Sequence, residues 1–202
     1  MKALSDVCTI QTGFTARGRL ESAADGGVLA LQLRDILSNG LIAAQSLIRI
    51  QVGDISERYL TRPGDVVFRS RGERNTAAVM DESIPEPALA ILPLMILRPD
   101  PQLLSGAYLA WAINQEPAQR HFEEEAQGTS LRMVSRTALE NLKIAVPDFQ
   151  TQQRILQVDA LAERERQLAG QLTLKHYELI HRVLVERAQR RTTTSGMQRM
   201  PK

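Results

Sequence analysis

A chain of 202 residues with 43% apolar and 24% charged side chains has the composition of an ordinary folded protein. That excludes wholesale disorder and leaves room for one domain with a long appendage, or two small domains. The single cysteine, Cys8, excludes an internal disulfide framework and fits a reducing compartment. No basic-then-apolar segment opens the chain and no apolar run reaches membrane-spanning length, so a cytoplasmic protein with no membrane partner is expected.

The net charge of +2 is unevenly spread: residues 1–149 carry 15 basic and 18 acidic side chains, whereas residues 150–202 carry 10 and 5. Arginine far outnumbers lysine. Its rigid fork suits bidentate contacts to phosphate and guanine edges, although a codon bias toward arginine gives the same composition.

In chain order, branched runs predict strands over 28–33, 47–52, 65–69, 88–97 and 142–146. Turn signals separate them: Asp25-Gly26-Gly27, Ser38-Asn39-Gly40, Arg62-Pro63-Gly64 and Arg98-Pro99-Asp100-Pro101. Ser105 is placed to cap a helix carrying Tyr108, Leu109, Trp111, Ala112 and Ile113, and Pro117 fits the first turn of a second. Ser135 is placed to cap a third, reaching Leu139. Trp111 and Met95 read as core residues.

From about Thr151 to Arg191 there is no proline and one glycine, Gly170. Apolar residues recur at Ile155, Val158, Leu161, Leu168, Leu172, Leu179 and Val183, a narrow stripe of coiled-coil type that needs a partner. The other reading is two shorter helices folding back at Gly170. The expected organisation is α+β: a mixed domain over 1–148, a long helix over 149–191 and a disordered tail over 192–202.

Several segments resemble, in order, the specificity subunits of type I restriction–modification systems. They are Leu4-Ser5-Asp6-Val7 with Ile10 and Gly13, then Leu31-Gln32-Leu33-Arg34-Asp35-Ile36 with Gly40. Tyr59-Leu60, Pro63-Gly64-Asp65-Val66-Val67-Phe68 and Ser70-Arg71-Gly72 follow. Tyr108-Leu109, Gly128-Thr129-Ser130, the stretch from Leu139 to Pro147, and Gln153-Arg154-Ile155 complete the set. The chain departs from the family before that last glutamine, where Asp148-Phe149-Gln150-Thr151-Gln152 replaces a second proline and an acidic residue.

The resemblance implies a half-length form, with one target-recognition domain and one spacer helix where a full subunit has two of each. It implies a non-catalytic subunit that reads one half of a bipartite target in double-stranded DNA. Its partners would be a methyltransferase (modification) subunit, a restriction subunit in the assembled complex, and a second copy through the long helix. It also implies no cofactor and no metal. The residues agree: there is no glycine-rich loop suited to S-adenosylmethionine, no Asn-Pro-Pro-aromatic motif, and only scattered histidines at His121, His176 and His181. A truncated or regulatory half-subunit, acting through protein contacts without reading sequence, is the alternative.

For DNA contact the residues of choice are loop arginines and small polar groups. Arg17 and Arg19 lie in a glycine-containing loop, while Arg69, Arg71, Arg74 and Asn75 follow the 65–68 strand. Thr129, Ser130 and Arg132 follow Gly128 and offer hydroxyl, backbone N–H and guanidinium groups to phosphate. The alternative for these arginines is pairing with nearby acids such as Glu73 or Asp65.

Overall fold

The computed structural model describes residues 1–16, 22, 23, 26–72, 74–125 and 133–195. The chain divides into two units, Met1–Leu156 and Gln157–Lys202.

In the first unit, β2 (Cys8–Thr12), β8 (Leu94–Pro99), β5 (Val66–Arg69) and β6 (Ala77–Val79) form an antiparallel sheet in that order. A second sheet places β3 (Val28–Leu31) between β4 (Ile48–Ile50), antiparallel, and β7 (Ala88–Ala90), parallel. A short pair joins β1 (Lys2–Ala3) to β9 (Lys143–Ile144).

Alternate side chains of a strand point to opposite faces, so the unbroken apolar run Val66-Val67-Phe68 must be buried on both sides. Val66 and Phe68 join a core with Leu97, Leu109, Phe122 and Leu139, which come from β8 and the helices α1 (Gly106–Asn114), α2 (Glu116–Glu125) and α3 (Arg136–Asn141). Val67 faces the other way, into a second core with Leu31, Ala88, Ala90 and Ile96. The unit is therefore layered, with helices on one face of the four-stranded sheet and the smaller sheet on the other.

The helix starts follow the capping chemistry. Ser105 Oγ accepts from Tyr108 N at 3.2 Å and Ser135 Oγ from Ala138 N at 3.0 Å. Gly106 is needed at the first start, because a Cβ there would fall 2.2 Å from the carbonyl oxygen of Gly64. Gly64 itself, at φ +86°, makes the turn that leads into β5.

Two sequence expectations are corrected and one alternative is excluded. The single strand over 88–97 is two strands in different sheets, β7 and β8. Pro93 has no N–H to continue a ladder, and Leu94 N instead closes a turn onto Ile91 O at 3.0 Å. The fold-back at Gly170 does not occur: α4 runs unbroken from Phe149 to Ser195. Residues 192–195 consequently belong to that helix rather than to a disordered tail, and 196–202 lie outside the described residues.

The start of α4 is fixed within the first unit. Asp148 caps it, its carboxylate accepting from Thr151 N at 2.8 Å and from Thr151 Oγ1 at 3.1 Å. Those bonds hold the Asp148 carboxyl below the usual carboxylate range. Gln152 is fully buried; its Oε1 accepts from Ser105 N at 3.0 Å, and its Nε2 donates to Leu103 O and Pro147 O, each at 2.9 Å. Ile155, expected on the partner-seeking stripe, packs with Leu156 against the domain core. From Val158 onward the stripe is exposed, from Val183 at 47% to Leu161 at 70%.

Candidate nucleic-acid interface

Segments carrying the candidate residues converge on the turn between β7 and β8. Gly13 N donates to Leu94 O at 2.8 Å and Phe14 N to Ala90 O at 2.7 Å, while Leu92 N returns a bond to Phe14 O at 3.0 Å. Only glycine fits at position 13, where a Cβ would sit 2.7 Å from the Leu94 oxygen. Beyond β5, Ser70 Oγ donates to Pro93 O at 2.5 Å. Ser70 O in turn accepts from Val134 N at 2.9 Å, and Arg71 forms a bridge with Met133. The chain leading to residue 16, the Ser70–Arg71 corner and the chain re-entering at Met133 are thus held together by backbone bonds and by the Ser70 hydroxyl. Arg17, Arg19, Thr129, Ser130 and Arg132 lie outside the described residues.

The four remaining candidates are placed very differently. Arg71 is exposed, and none of the described residues bonds its guanidinium. Arg69 is half-buried and folds over the corner, its Nε donating to Arg71 O at 3.2 Å. Gly72 makes room for it, since a Cβ there would meet the Arg69 guanidinium at 2.9 Å. Arg74 donates to Asn114 O, the last residue of α1, at 2.9 Å, where a cation suits the carbonyl end of a helix. Asn75 is buried and donates to Arg69 O at 3.1 Å.

Sequence reasoning missed the residues that hold this corner. Asn114 takes both roles of a strand partner, accepting from Ala77 N at 2.9 Å and donating to Ala77 O at 2.8 Å. Gln119 Nε2 donates to Asn75 O at 2.8 Å and to Ile113 O at 2.9 Å. A lone Asn at the end of α1 and a lone Gln in the first turn of α2 carry no spacing signal, so only the fold reveals them.

The Pro63-Gly64-Asp65 motif has a structural role here. Asp65 accepts from Arg62 N at 2.9 Å and from Arg98 Nε at 3.2 Å, and Arg98 also reaches Leu60 O at 2.6 Å. Burial raises the Asp65 carboxyl above its ordinary value despite the opposing pull of Arg62 and Arg98. Asp65, one of the acids expected to pair with the candidate arginines, pairs instead with Arg98; Glu73, the other, lies outside the described residues.

The fold is that of the specificity (S) subunits of type I restriction–modification systems. Solved structures that share it include the HsdS subunit from Thermoanaerobacter tengcongensis, at TM-score 0.56, 20% identity, 83% of this chain and 37% of that one. Another is the type I S subunit from M. genitalium, at TM-score 0.54, 14% identity, 84% of this chain and 40% of that one. A third comes from a study of the assembly and conformational transition of the type I system, at TM-score 0.57, 20% identity, 96% of this chain and 41% of that one. The chain spans about two fifths of the length of these structures. No family model matches the sequence, and no curated protein matches it. No helix among the described residues is long and apolar enough to cross a membrane.

Proposed function

We propose that this chain is a non-catalytic DNA-reading subunit of a type I restriction–modification system, in which Met1–Leu156 recognises one half of a bipartite target. The observation that carries the reading is the shared fold over 83–96% of the chain, recognition unit and helix together. The convergence at the β7–β8 turn supports it, because loops anchored at one edge of a rigid sheet can present several side chains to one stretch of duplex. Arg71 is the described residue best placed for contact; Arg69, Arg74 and Asn75 shape the corner that presents it.

Val158, Leu161, Leu168, Leu172, Leu179 and Val183 would pair with the helix of a second copy. Leu174, Tyr177 and Leu184 are also exposed, at 60–65%, and lie roughly 120–160° around the helix from Leu172 at about 100° per residue. One partner helix cannot cover both faces, and this second face suits the methyltransferase subunit. A restriction subunit would join through the assembled complex, and cofactors would belong to those partners.

Gel-shift binding to random-sequence duplexes, with the methyltransferase subunit present and absent, tests the reading. Sequencing of the bound fraction should return an enriched motif that depends on this chain. Complex formation with the methyltransferase but no enrichment would favour an interaction-only regulatory half-subunit.

A further inference from the structure

Two apolar side chains stand exposed at the corner that presents Arg71: Leu92 at 42% and Met133 at 51%. A single exposed leucine on a surface calls for no explanation. These two, however, are fixed in place next to a free charge. Leu92 lies in the turn between β7 and β8, and that turn is tied at three points. Leu92 N donates to Phe14 O at 3.0 Å, Leu94 N to Ile91 O at 3.0 Å, and Pro93 O accepts from the Ser70 hydroxyl at 2.5 Å. Met133 forms an antiparallel bridge with Arg71 itself. The last ladder pair of β5 and β8 is Arg69 with Leu94, and Ser70 is bonded to Pro93, so the next step of that register is Arg71 with Leu92.

The surroundings say what such a pair of side chains fits. Among the described residues bonded, paired or bridged to this turn and to Met133, the only formal charges are the guanidinium groups of Arg69 and Arg71. Arg69 is bonded within the corner, which leaves the Arg71 group for a partner. A cation with no acid beside it suits a polyanion. Two side chains also fall far short of the roughly 800 Å² that a stable protein contact buries on each partner. On the major-groove edge of duplex DNA, the apolar group that a base pair offers is the thymine methyl.

Resting on the reading of Met1–Leu156 as a DNA-recognition unit, we propose that Leu92 and Met133 read the methyl group of a thymine in the half-site. The contact lies in the major groove, next to the base pair or phosphate that Arg71 takes. Because the turn is already fixed by its three bonds, little ordering is lost when Leu92 meets the base, and the methyl contact retains its full worth.

Deoxyuridine, which lacks only the methyl group and keeps every hydrogen bond of thymine, supplies the test. Random duplexes are first selected with the full chain and the methyltransferase subunit. Each thymine of the enriched half-site, on either strand, is then replaced in turn by deoxyuridine and binding is measured again. One position should weaken by about fourfold, the worth of one buried methyl group. Leu92→Ala with Met133→Ala should bind thymine and deoxyuridine alike at that position. Both side chains are exposed, so this variant should melt as the wild type does; the wild-type comparison stands without it. An enriched half-site with no thymine, or with thymines that can all be replaced without loss, overturns the proposal and leaves the recognition reading standing. A methyl effect undiminished in the double variant also overturns it, by assigning the contact to other residues. The absence of any enriched motif sinks the recognition reading and the proposal with it.

Discussion

Gln152 has no exposed surface, yet both ends of its amide are bonded, to Ser105 N, Leu103 O and Pro147 O. Replacing it by leucine leaves three backbone groups unpaired in a dry site, each worth roughly 1–3 kcal/mol. A Gln152→Leu chain should melt several degrees lower in calorimetry, and an unchanged melting temperature would mean that water replaces the amide. Arg71 is the opposite case. Arg71→Ala should leave melting unchanged while weakening DNA binding, by about 1–3 kcal/mol if it reads a base. Asn75→Ala should instead lower stability, by roughly 1–3 kcal/mol, because Arg69 O loses a buried donor. Equal DNA affinity for wild type and Arg71→Ala would remove Arg71 from the interface. Asp148 brings pH into the account: its depressed folded value means that its cap is intact above the ordinary carboxylate range and is lost as pH falls through that folded value. Asp148→Asn should flatten the acid limb of a stability–pH curve measured by circular dichroism.

The capped helices were readable because each start depends on one local bond, as at Ser105 and Ser135. The long helix was readable because nothing within it interrupts good helix formers. β5 was legible as a branched run, whereas β6, Ala77-Ala78-Val79, has no such signal and is a strand because β5 and Asn114 supply its hydrogen bonds. β2 alternates only weakly, and β7 and β8 read as one strand since residues 88–97 are apolar throughout. The four candidate residues from the end of β5 onward were found as a cluster, but Arg74 is told apart from the unbonded Arg71 only by its bond to α1, some 40 positions away in sequence. On α4, the face bearing Leu174, Tyr177 and Leu184 was not separated from the stripe by spacing alone. Leu174→Glu with Tyr177→Glu should abolish co-purification with the methyltransferase subunit while sedimentation still shows the self-paired chain. Loss of self-pairing in that variant would mean that the two faces are one interface.

At the scale of the whole molecule, the proposed reading makes helix length the determinant of the gap between half-sites. Each residue of α4 adds about 1.5 Å, so seven residues inserted after Gln157 in both copies lengthen the path between the recognition units by about 21 Å, near six base pairs. The seam from Val158 onward is untouched by that insertion. The preferred gap between half-sites should therefore grow while the half-sites stay the same, which sequencing of selected duplexes would reveal. A two-fold pair also requires the half-sites to be inverted copies of each other. The central claim, that this chain chooses the DNA sequence its complex modifies, is tested most directly by comparing the methylomes of cells with and without its gene. The account predicts that one bipartite motif, two inverted copies of a short sequence around a fixed gap, loses methylation when the gene is absent. A methylome unchanged by the deletion in cells that express the chain would contradict it.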